Sequence, residues 1–418
     1  MVYKYIIVFG LFFILFCGPN RDLPKSQNFP VENQRTDKKG NYPIVDTGQV
    51  DFYDNFTKIS KPQKGEACYG QDAHFLKNPP SYEILGEGMV LDKNTGLIWQ
   101  KSFEVLSYAE AIERLRTFSL GGKTDWRLPR IKELYSLVLF NGIDASSRNM
   151  SEVPPNSKPF LDSIFAFKYG SNGERPIDTQ LLSSSVYHGK TMGGQDTVFG
   201  LNVADGRIKG YPIIDPRSGK GKKFTVRYVR GSEDYGLNHF QDNKNGTISD
   251  LSTGLMWDKN DSGTGMNWES ALEWVQKKNK ENYLGYSDWR LPNAKELHSI
   301  VDYSRSPQST DSAAIDPIFN ITKLSLEKGF KNYPFFWTST THVGQLGAGS
   351  AVYISFGEAL GYMGPPIPFA PVHLMDVHGA GAQRSDPKQG DPSIFPRGFG
   401  PQGDVIRIYN FIRLVRDI

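Results

Sequence analysis

The sequence contains little cysteine, little net charge and, in its main body, no long apolar run. Two cysteines, Cys17 and Cys68, occur among 418 residues. The 48 basic and 45 acidic side chains leave a formal net charge of +3, which is too small for the global field that dominates binding to nucleic acid. No stretch of the main body is long and apolar enough to cross a membrane. We therefore expect no nucleic-acid partner and a fold without internal disulfides.

The N-terminus combines one early lysine with the apolar run "IIVFGLFFILF", which ends at Cys17. Its length is typical of an export signal, and the junction "ILFC" resembles a bacterial lipoprotein signal. That resemblance implies a signal peptide over residues 1–16, lipidation of Cys17 and anchoring in the envelope, at the outer membrane or cell surface. Phe16 stands where a small residue is usual, so an ordinary secretory signal remains the alternative. Residues 17–42 are then a flexible tether.

The remaining sequence consists of two copies of one unit. Six blocks recur in the same order, among them "TGLIWQK" and "TGLMWDK", and "DWRLPRIKEL" and "DWRLPNAKEL". A repeat of this length is a whole domain and not a solenoid unit. We place the first domain at 43–232, with an N-terminal extension, and the second at 233–418. The second holds a glycine- and proline-rich insertion at about 357–404, which predicts an irregular surface loop.

Local patterns predict both helices and strands in each copy. "LDKNTGLIW" and "SDLSTGLMW" are typical of hairpins that turn at Gly96 and Gly254. A capping box of Ser107 with Glu110 begins the first helix, and Asn267 caps its counterpart. The stretch after "DWRLP" has apolar residues every three positions, which predicts a second helix beginning at the proline. Alternating apolar stretches such as "FTVRYVR" follow as strands.

The quoted blocks, with "VRYVRG", "FWTST" and "IRLVRD", resemble the Lcl C-terminal domain family, a bacterial domain of unknown function, in two tandem copies. The resemblance implies an α+β fold of the C-type lectin-like kind, in which each domain packs two helices on a twisted antiparallel sheet. It also implies secreted or surface-attached proteins, and one member ends a collagen-like adhesin that binds sulfated glycans. This chain has no Gly-X-Y tract, which argues against a trimeric stalk.

The residues shared by both copies are the first candidates for a site. They are Trp99, Asp125, Trp126, Arg127, Pro129, Glu133, Trp257, Asp288, Trp289, Arg290, Pro292 and Glu296. The tryptophans suit core packing better than ligand stacking. The arginines and glutamates suit ion pairs that fix the loop before the second helix better than an acid pair for catalysis. We therefore interpret this signature as structural and expect no catalytic residues.

Two further groups are candidate binding residues. Lys220, Lys222 and Lys223 in "RSGKGKK" could grip a polyanion such as a sulfated glycan, or form an ordinary solvated loop. His373, Asp376 and His378 are a weak candidate for a metal site, and none of the usual zinc spacings occurs.

The sequence thus predicts a protein without cofactor or enzymatic activity. Its membrane contact is the lipid anchor, and its ligand is a glycan or a protein of unknown identity. A structural or assembly lipoprotein of the envelope is the alternative.

Overall fold

The computed structural model describes residues 42–147, 149, 151–171, 174–325, 331–364 and 371–418. The expected signal peptide, Cys17 and all but the last residue of the tether lie outside the described residues. The described chain is an α+β protein with many strands and few helices, arranged as two tandem domains. None of the helices in these ranges is both long and apolar enough to span a bilayer.

The first copy follows an extension with two short strands. The extension contains β1 (Phe52–Tyr53), β2 (Lys58–Ile59) and a 3-10 turn at Asp72–His74. The copy itself contains β3 (Tyr82–Gly86), β4 (Met89–Asp92), β5 (Ile98–Gln100), β6 (Glu104–Ser107), α1 (Tyr108–Leu115), α2 (Ile131–Ser136), β7 (Gln180–Val186), β8 (Thr197–Asn202), β9 (Arg207–Pro212), β10 (Lys223–Val226) and β11 (Val229–Arg230).

The second copy repeats this order with additions. Its elements are β12 (Phe240–Asp242), β13 (Thr247–Asp250), β14 (Leu255–Asp258), α3 (Trp268–Lys280), a 3-10 turn (Tyr283–Gly285), α4 (Ala294–Ser299), α5 (Pro307–Thr310), β15 (Leu324–Ser325), β16 (Lys331–Asn332), β17 (Phe335–Gly344), β18 (Gly347–Ser355), β19 (Leu360–Met363), β20 (His373–Asp376), β21 (Gln383–Pro387), a 3-10 turn (Pro392–Ile394) and β22 (Val415–Asp417).

Each copy builds a small four-stranded sheet of the same topology. The strand order is β11-β5-β4-β3 in the first copy and β22-β14-β13-β12 in the second. The closing strand of each copy therefore returns to pair with the hairpin near its start, β11 with β5 and β22 with β14. This pairing explains why "VRYVR" and "IRLVR" recur so far from "TGLIW" and "TGLMW".

A second, larger sheet joins the two copies. Its strand order is β17-β18-β21-β9-β8-β7-β10-β6, so three strands of the second copy continue directly into five of the first. The junction is an antiparallel contact of β21 with β9, at Gln383 and Ile208. Each copy thus contributes to a four-stranded sheet and to the eight-stranded sheet, instead of the single antiparallel sheet expected, and the second copy adds two two-stranded sheets. Within the large sheet, β10 runs parallel to β7.

Several local predictions are confirmed. Ser107 and Glu110 form the capping box of α1, and the Asn267 side chain caps α3 by accepting from the amide of Ser270 at 2.9 Å. Gly96 and Gly254 both have φ of +71° at their hairpin turns, a region where a side chain is strained. The sequence pattern at 107–118 predicts a helix up to Phe118, but α1 ends at Leu115.

The prediction that the second helix begins at the proline is wrong. Arg130 and Asn293 are the N-caps of α2 and α4, so Pro129 and Pro292 each lie two residues before the first helical residue. Both caps have extended backbone, and the proline, with its fixed φ and missing N–H, suits the extended approach to the cap.

The prediction that the insertion is an irregular surface loop is also wrong where the insertion forms strands. It contains the hairpin β19-β20 and the strand β21. Leu360, Leu374 and Val377 are buried, and Asp386 and Lys388 are fully buried. β21 lies inside the large sheet, where β18 and β9 supply hydrogen-bond partners for its backbone.

The extension packs mainly on the second copy, although it precedes the first. The side chain of Gln49 donates to the carbonyl of Thr341 at 2.8 Å and accepts from its amide at 2.9 Å, as a neighbouring strand would. Cys68 is buried in the same apolar cluster as Trp268 and Leu272. The extension therefore covers the outer edge of β17 and one face of α3.

Candidate functional site

The signature tryptophans are all buried. Trp99 and Trp257 have no exposed surface and lie in the main core. The indole N–H of Trp126 donates to the carbonyl of Leu120 at 3.3 Å, and that of Trp289 donates to the carbonyl of Tyr283 at 2.9 Å. The four rings occupy equivalent places in the two copies, and none of them offers a face to a ligand.

The signature arginines and carboxylates are paired with one another. Arg127 forms two hydrogen bonds with Glu133, at 2.7 and 2.6 Å, and Glu133 is fully buried. Arg290 pairs with one carboxylate oxygen of Glu296 at 2.6 Å and also with Asp417 at 3.0 Å. Each glutamate also accepts from the backbone amide of its helix N-cap. These bonds tie the loop before the helix to its first turn.

The signature aspartates brace the closing strands. Asp125 accepts two hydrogen bonds from Arg230, at 2.8 and 2.9 Å, and Asp288 accepts two from Arg416, at 2.7 and 3.0 Å. The arginines hold the pKa of both carboxyls below the usual range, and the carboxylates are about 60% exposed. These pairs connect the signature loop to β11 and β22.

A lysine within the signature joins the two copies, and sequence reasoning missed it. The Nζ of Lys132 donates to the carbonyl of Ser299 at 2.8 Å, and the Nζ of Lys295 donates to the carbonyl of Ser136 at 2.7 Å. Lys132 and Lys295 hold the same position of the repeat, as do Ser136 and Ser299. The contact is therefore reciprocal, and α2 and α4 meet across a local twofold relationship. Identity of the lysine in both copies was the available signal.

Charged groups also accumulate where β9 meets β21. Asp205 accepts from Lys209 at 2.9 Å, and His378 contacts Asp404 at 2.7 Å, with Arg384 on the same carboxylate. Burial lowers the pKa of Lys209 to about 8 and that of His378 well below its usual value. This cluster is buried between strands, so it serves the junction of the copies. Its members come from the insertion and from the segment around β9. No local sequence pattern could connect these two segments.

The weak metal candidates are not brought together as a ligand set. The carboxylate of Asp376 accepts from the hydroxyl of Tyr187 at 2.8 Å and from the amides of His378 and Gly379. His378 points to Asp404, and His373 is exposed at the start of β20. Among the described residues, no group of three or more histidine, cysteine or acidic side chains is placed to hold a metal ion.

The candidate polyanion residues are mostly engaged. Lys223 pairs with Glu110 at 2.7 Å, and that contact lowers the pKa of Glu110 to about 2. The Nζ of Lys222 lies 5.8 Å from the ring centre of Tyr211, and burial lowers its pKa. Lys220 is exposed, with no ion pair within the part of the chain that the structure describes. One free lysine is a weak electrostatic site.

Two accessible features distinguish the second copy from the first copy. The first is an aromatic loop at 391–403, where Ile394 is 68% and Phe399 is 65% exposed. The rings of Phe395 and Phe399 pack edge to face, with their centres 6.0 Å apart. Tyr409, 50% exposed, approaches Gly390 at the base of this loop. Large apolar side chains clustered on the surface mark interaction sites.

The second feature is a cleft of about 260 Å³ between the extension and α3, which we call the α3 cleft. Its lining residues are Gly65, Glu66, Ala67, Cys68, Tyr69, Leu272, Glu273, Gln276, Lys277 and Lys280. A further, much smaller cavity lies between α2 and α4 beside Lys132 and Lys295. The size of the α3 cleft suits part of a small ligand.

Fold and site together define a tandem-repeat α+β protein. The charged signature residues of each copy are paired within that copy, and the aromatic loop and the α3 cleft belong to the second copy. The family model described as Lcl C-terminal domain matches residues 88–230 and 246–367. The chain belongs to this family, as two tandem copies. The second match ends inside the insertion, although β21 and β22 beyond it complete the copy. No curated protein matches the chain, and no solved structure does.

Proposed function

We propose that the chain is a non-enzymatic binding protein of the bacterial cell envelope that holds glycans through loops of its second domain. The observation that carries the proposal is the aromatic loop at 391–403, with Phe399 and Ile394 about two-thirds exposed. Exposed aromatic rings bury the apolar C–H faces of sugars at low conformational cost, because they are large and have few rotatable bonds. The loop is absent from the first copy, as expected for an acquired recognition element.

The bonding of the signature supports binding over catalysis. The repeated arginines, glutamates and aspartates are matched with one another in both copies at the same distances, within a few tenths of an ångström. A catalytic group needs room for substrate and a pKa suited to its task. Glu133 is fully buried against Arg127 and Glu296 is nearly so against Arg290.

The C-type lectin-like assignment of the fold is also part of this proposal. We assign both domains to the C-type lectin-like kind, in which the first and last strands lie close together. The return of β11 to β5 and of β22 to β14, with two helices before the central strands, supports the assignment. Lipid anchoring at Cys17 and exposure at the cell surface complete the proposal, and both rest on the N-terminal sequence.

A glycan array tests the function. Residues 43–418 should bind a defined set of glycans, sulfated ones among them, and Phe399→Ala combined with Ile394→Ala should abolish binding while leaving the melting temperature unchanged. Gly344→Ala, at the end of β17, is the control, because a methyl group there would contact nothing within 4 Å. Retention of binding by the double variant would reject the loop as the site.

An envelope assembly protein is the second candidate, favoured by a different observation. Leu346 is fully exposed at the tip of the β17-β18 hairpin, and Phe56 beside it is 63% exposed. Such an apolar projection suits a protein partner. Protease treatment of intact cells separates the candidates, because a surface adhesin is cut and a periplasmic assembly protein is protected.

A further inference from the structure

We infer that the α3 cleft is a second binding site, for a saccharide that carries both an ammonium group and a carboxylate. The choice of a saccharide rests on the proposed function, whereas the charge pattern of the ligand rests on the cleft itself. The site is separate from the aromatic loop and from the candidate lysines of the first copy.

One wall of the cleft is a row of side chains along α3. Glu273, Gln276, Lys277 and Lys280 are spaced so that they share one face of the helix. Glu273 and Lys280 are separated by about 10 Å along the helix axis, at 1.5 Å per residue. The wall therefore has an acidic end and a basic end, with an amide between them.

These side chains are free to meet a ligand. Within the described ranges, the side chains of Glu273, Gln276 and Lys280 form no hydrogen bond or ion pair. Lys277 has only a long contact with Glu281, at 3.9 Å. Polar groups without protein partners along a cleft are available for hydroxyl and charged groups of a sugar.

The extension forms the opposite wall. The carboxylate of Glu66 is oriented by the backbone amide of Gln63, which donates to it at 2.6 Å. The ring of Tyr69 is held against His74, with ring centres 4.6 Å apart. Gly70 lets this wall approach the helix, because a methyl group there would lie 3.2 Å from the amide nitrogen of Gln276.

The floor of the cleft is apolar and uncharged. Leu272 and Cys68 are buried beneath the polar walls. Burial, and then the nearby glutamates, raise the pKa of the Cys68 thiol to about 11, so it carries no charge near neutral pH. The charges that select a ligand are therefore those of the glutamates and the lysines.

The described residues of the first copy do not form an equivalent site. Alignment of the capping residues Ser107 and Asn267 places Glu113 opposite Glu273, but Leu120 opposite Lys280. Glu113 is paired with Arg116 at 3.3 Å on an open surface. Ile112, the counterpart of buried Leu272, is 38% exposed, whereas residues 65–69 of the extension lie beside Leu272.

Four related sugars test the charge pattern by calorimetric titration of the full chain. Muramic acid carries both charges, glucosamine only the ammonium, N-acetylmuramic acid only the carboxylate, and N-acetylglucosamine neither. We expect muramic acid to bind with a Kd on the order of 0.1–1 mM, as suits a ligand of this size. Each singly charged sugar should bind about tenfold more weakly.

Two variants assign the ends of the ligand. Lys280→Ala should bring muramic acid down to the affinity of glucosamine, and Glu273→Gln should bring it down to that of N-acetylmuramic acid. Glu113→Gln on α1 is the matched control and should change nothing. Because these side chains are exposed, the variants should keep the melting temperature of the parent.

Equal binding of all four sugars, no binding of any of them, or wild-type selectivity in Lys280→Ala would overturn the inference. The glycan array described for the proposed function distinguishes these failures from failure of that function. If the array is positive and depends on Phe399 while the four sugars do not bind, the cleft inference falls and the proposed function stands.

Discussion

Lys132 of α2 donates a hydrogen bond to the carbonyl of Ser299 at the end of α4, at 2.8 Å. The equivalent residues of the other copy, Lys295 and Ser136, make the same bond in the opposite direction at 2.7 Å. Between them, the ring centres of Tyr135 and His298 lie 4.3 Å apart, again at one repeat position. The motif that occurs twice in the sequence thus meets itself in the fold, and part of its conservation between copies is explained by this contact.

Removing either lysine should destabilise the whole protein. Lys132 also donates to Gly236 and Asn238, and Lys295 to Asp46, so Lys132→Met leaves three buried acceptors without their donor. We expect a loss of about 2–4 kcal/mol in the free energy of unfolding for each variant, measured by urea titration. Exposed Lys220→Met is the control and should be neutral. An unchanged midpoint in Lys132→Met would show that the reciprocal bonds do not hold the copies together.

The two kinds of signature ion pair should differ in strength. Glu296→Gln leaves the largely buried charge of Arg290 paired only with Asp417, whose carboxylate is 48% exposed, and should cost about 3 kcal/mol. Asp288→Asn removes a pair whose carboxylate is 59% exposed, and should cost less than about 1 kcal/mol. Urea titration of both variants measures the difference. Equal costs would contradict the structural roles assigned here.

A glycine in β9 should be needed for the junction with the insertion. A methyl group at Gly210 would lie 2.5 Å from the Thr197 side chain and 2.7 Å from the carbonyl oxygen of His378. Gly210→Ala should therefore lower the stability by about 1–3 kcal/mol, because one contact is backbone and cannot move aside. The melting temperature measures this, with Gly344→Ala as the neutral control. A Gly210→Ala protein as stable as the parent would mean that β21 is not held on β9.

Stability should fall as the pH rises from about 4 to about 7, in part because of Asp72. Burial raises the pKa of Asp72 to about 7, although the hydroxyls of Thr340 and Thr47 donate to it. The folded protein therefore keeps this proton between the ordinary value of 3.8 and about 7, where the unfolded chain has lost it. Folding stability from this group is present at pH 4 and decreases up to about pH 7.

The variant Asp72→Asn isolates this contribution, because the amide keeps the shape and the acceptor oxygen without titrating. Relative to wild type, the variant should gain about 1–3 kcal/mol between pH 5 and pH 8 in urea titrations. A constant difference between the two proteins across this range would show that Asp72 is ionised throughout.

The sequence predicts the parts of the fold that depend on neighbouring residues. The capping box of Ser107, the Asn267 cap and the glycine turns at Gly96 and Gly254 are local, and each is found where it was expected. The repeat itself predicts two domains, because six blocks in one order require one fold twice.

Long-range pairing could not be predicted in this way. β21 joins β9 across more than 170 positions of the chain, and nothing in "QRSDP" identifies it as an interior strand, since its arginine and aspartate are buried by partners from elsewhere. The same holds for the α3 cleft, whose walls come from residues 65–69 and 272–280. These two segments share no local pattern, and they become neighbours only because the extension packs against α3 of the second copy.

The central claim is that the repeated signature is structural and that recognition lies in the second copy, chiefly in its exposed aromatic loop. One measurement tests it most directly: glycan-array binding of the wild type, of Glu296→Gln and of Phe399→Ala with Ile394→Ala, at a temperature where all three are folded. The account predicts that Glu296→Gln keeps the glycan profile of the wild type and that the loop variant loses it. Loss of binding in Glu296→Gln with retention in the loop variant would contradict it.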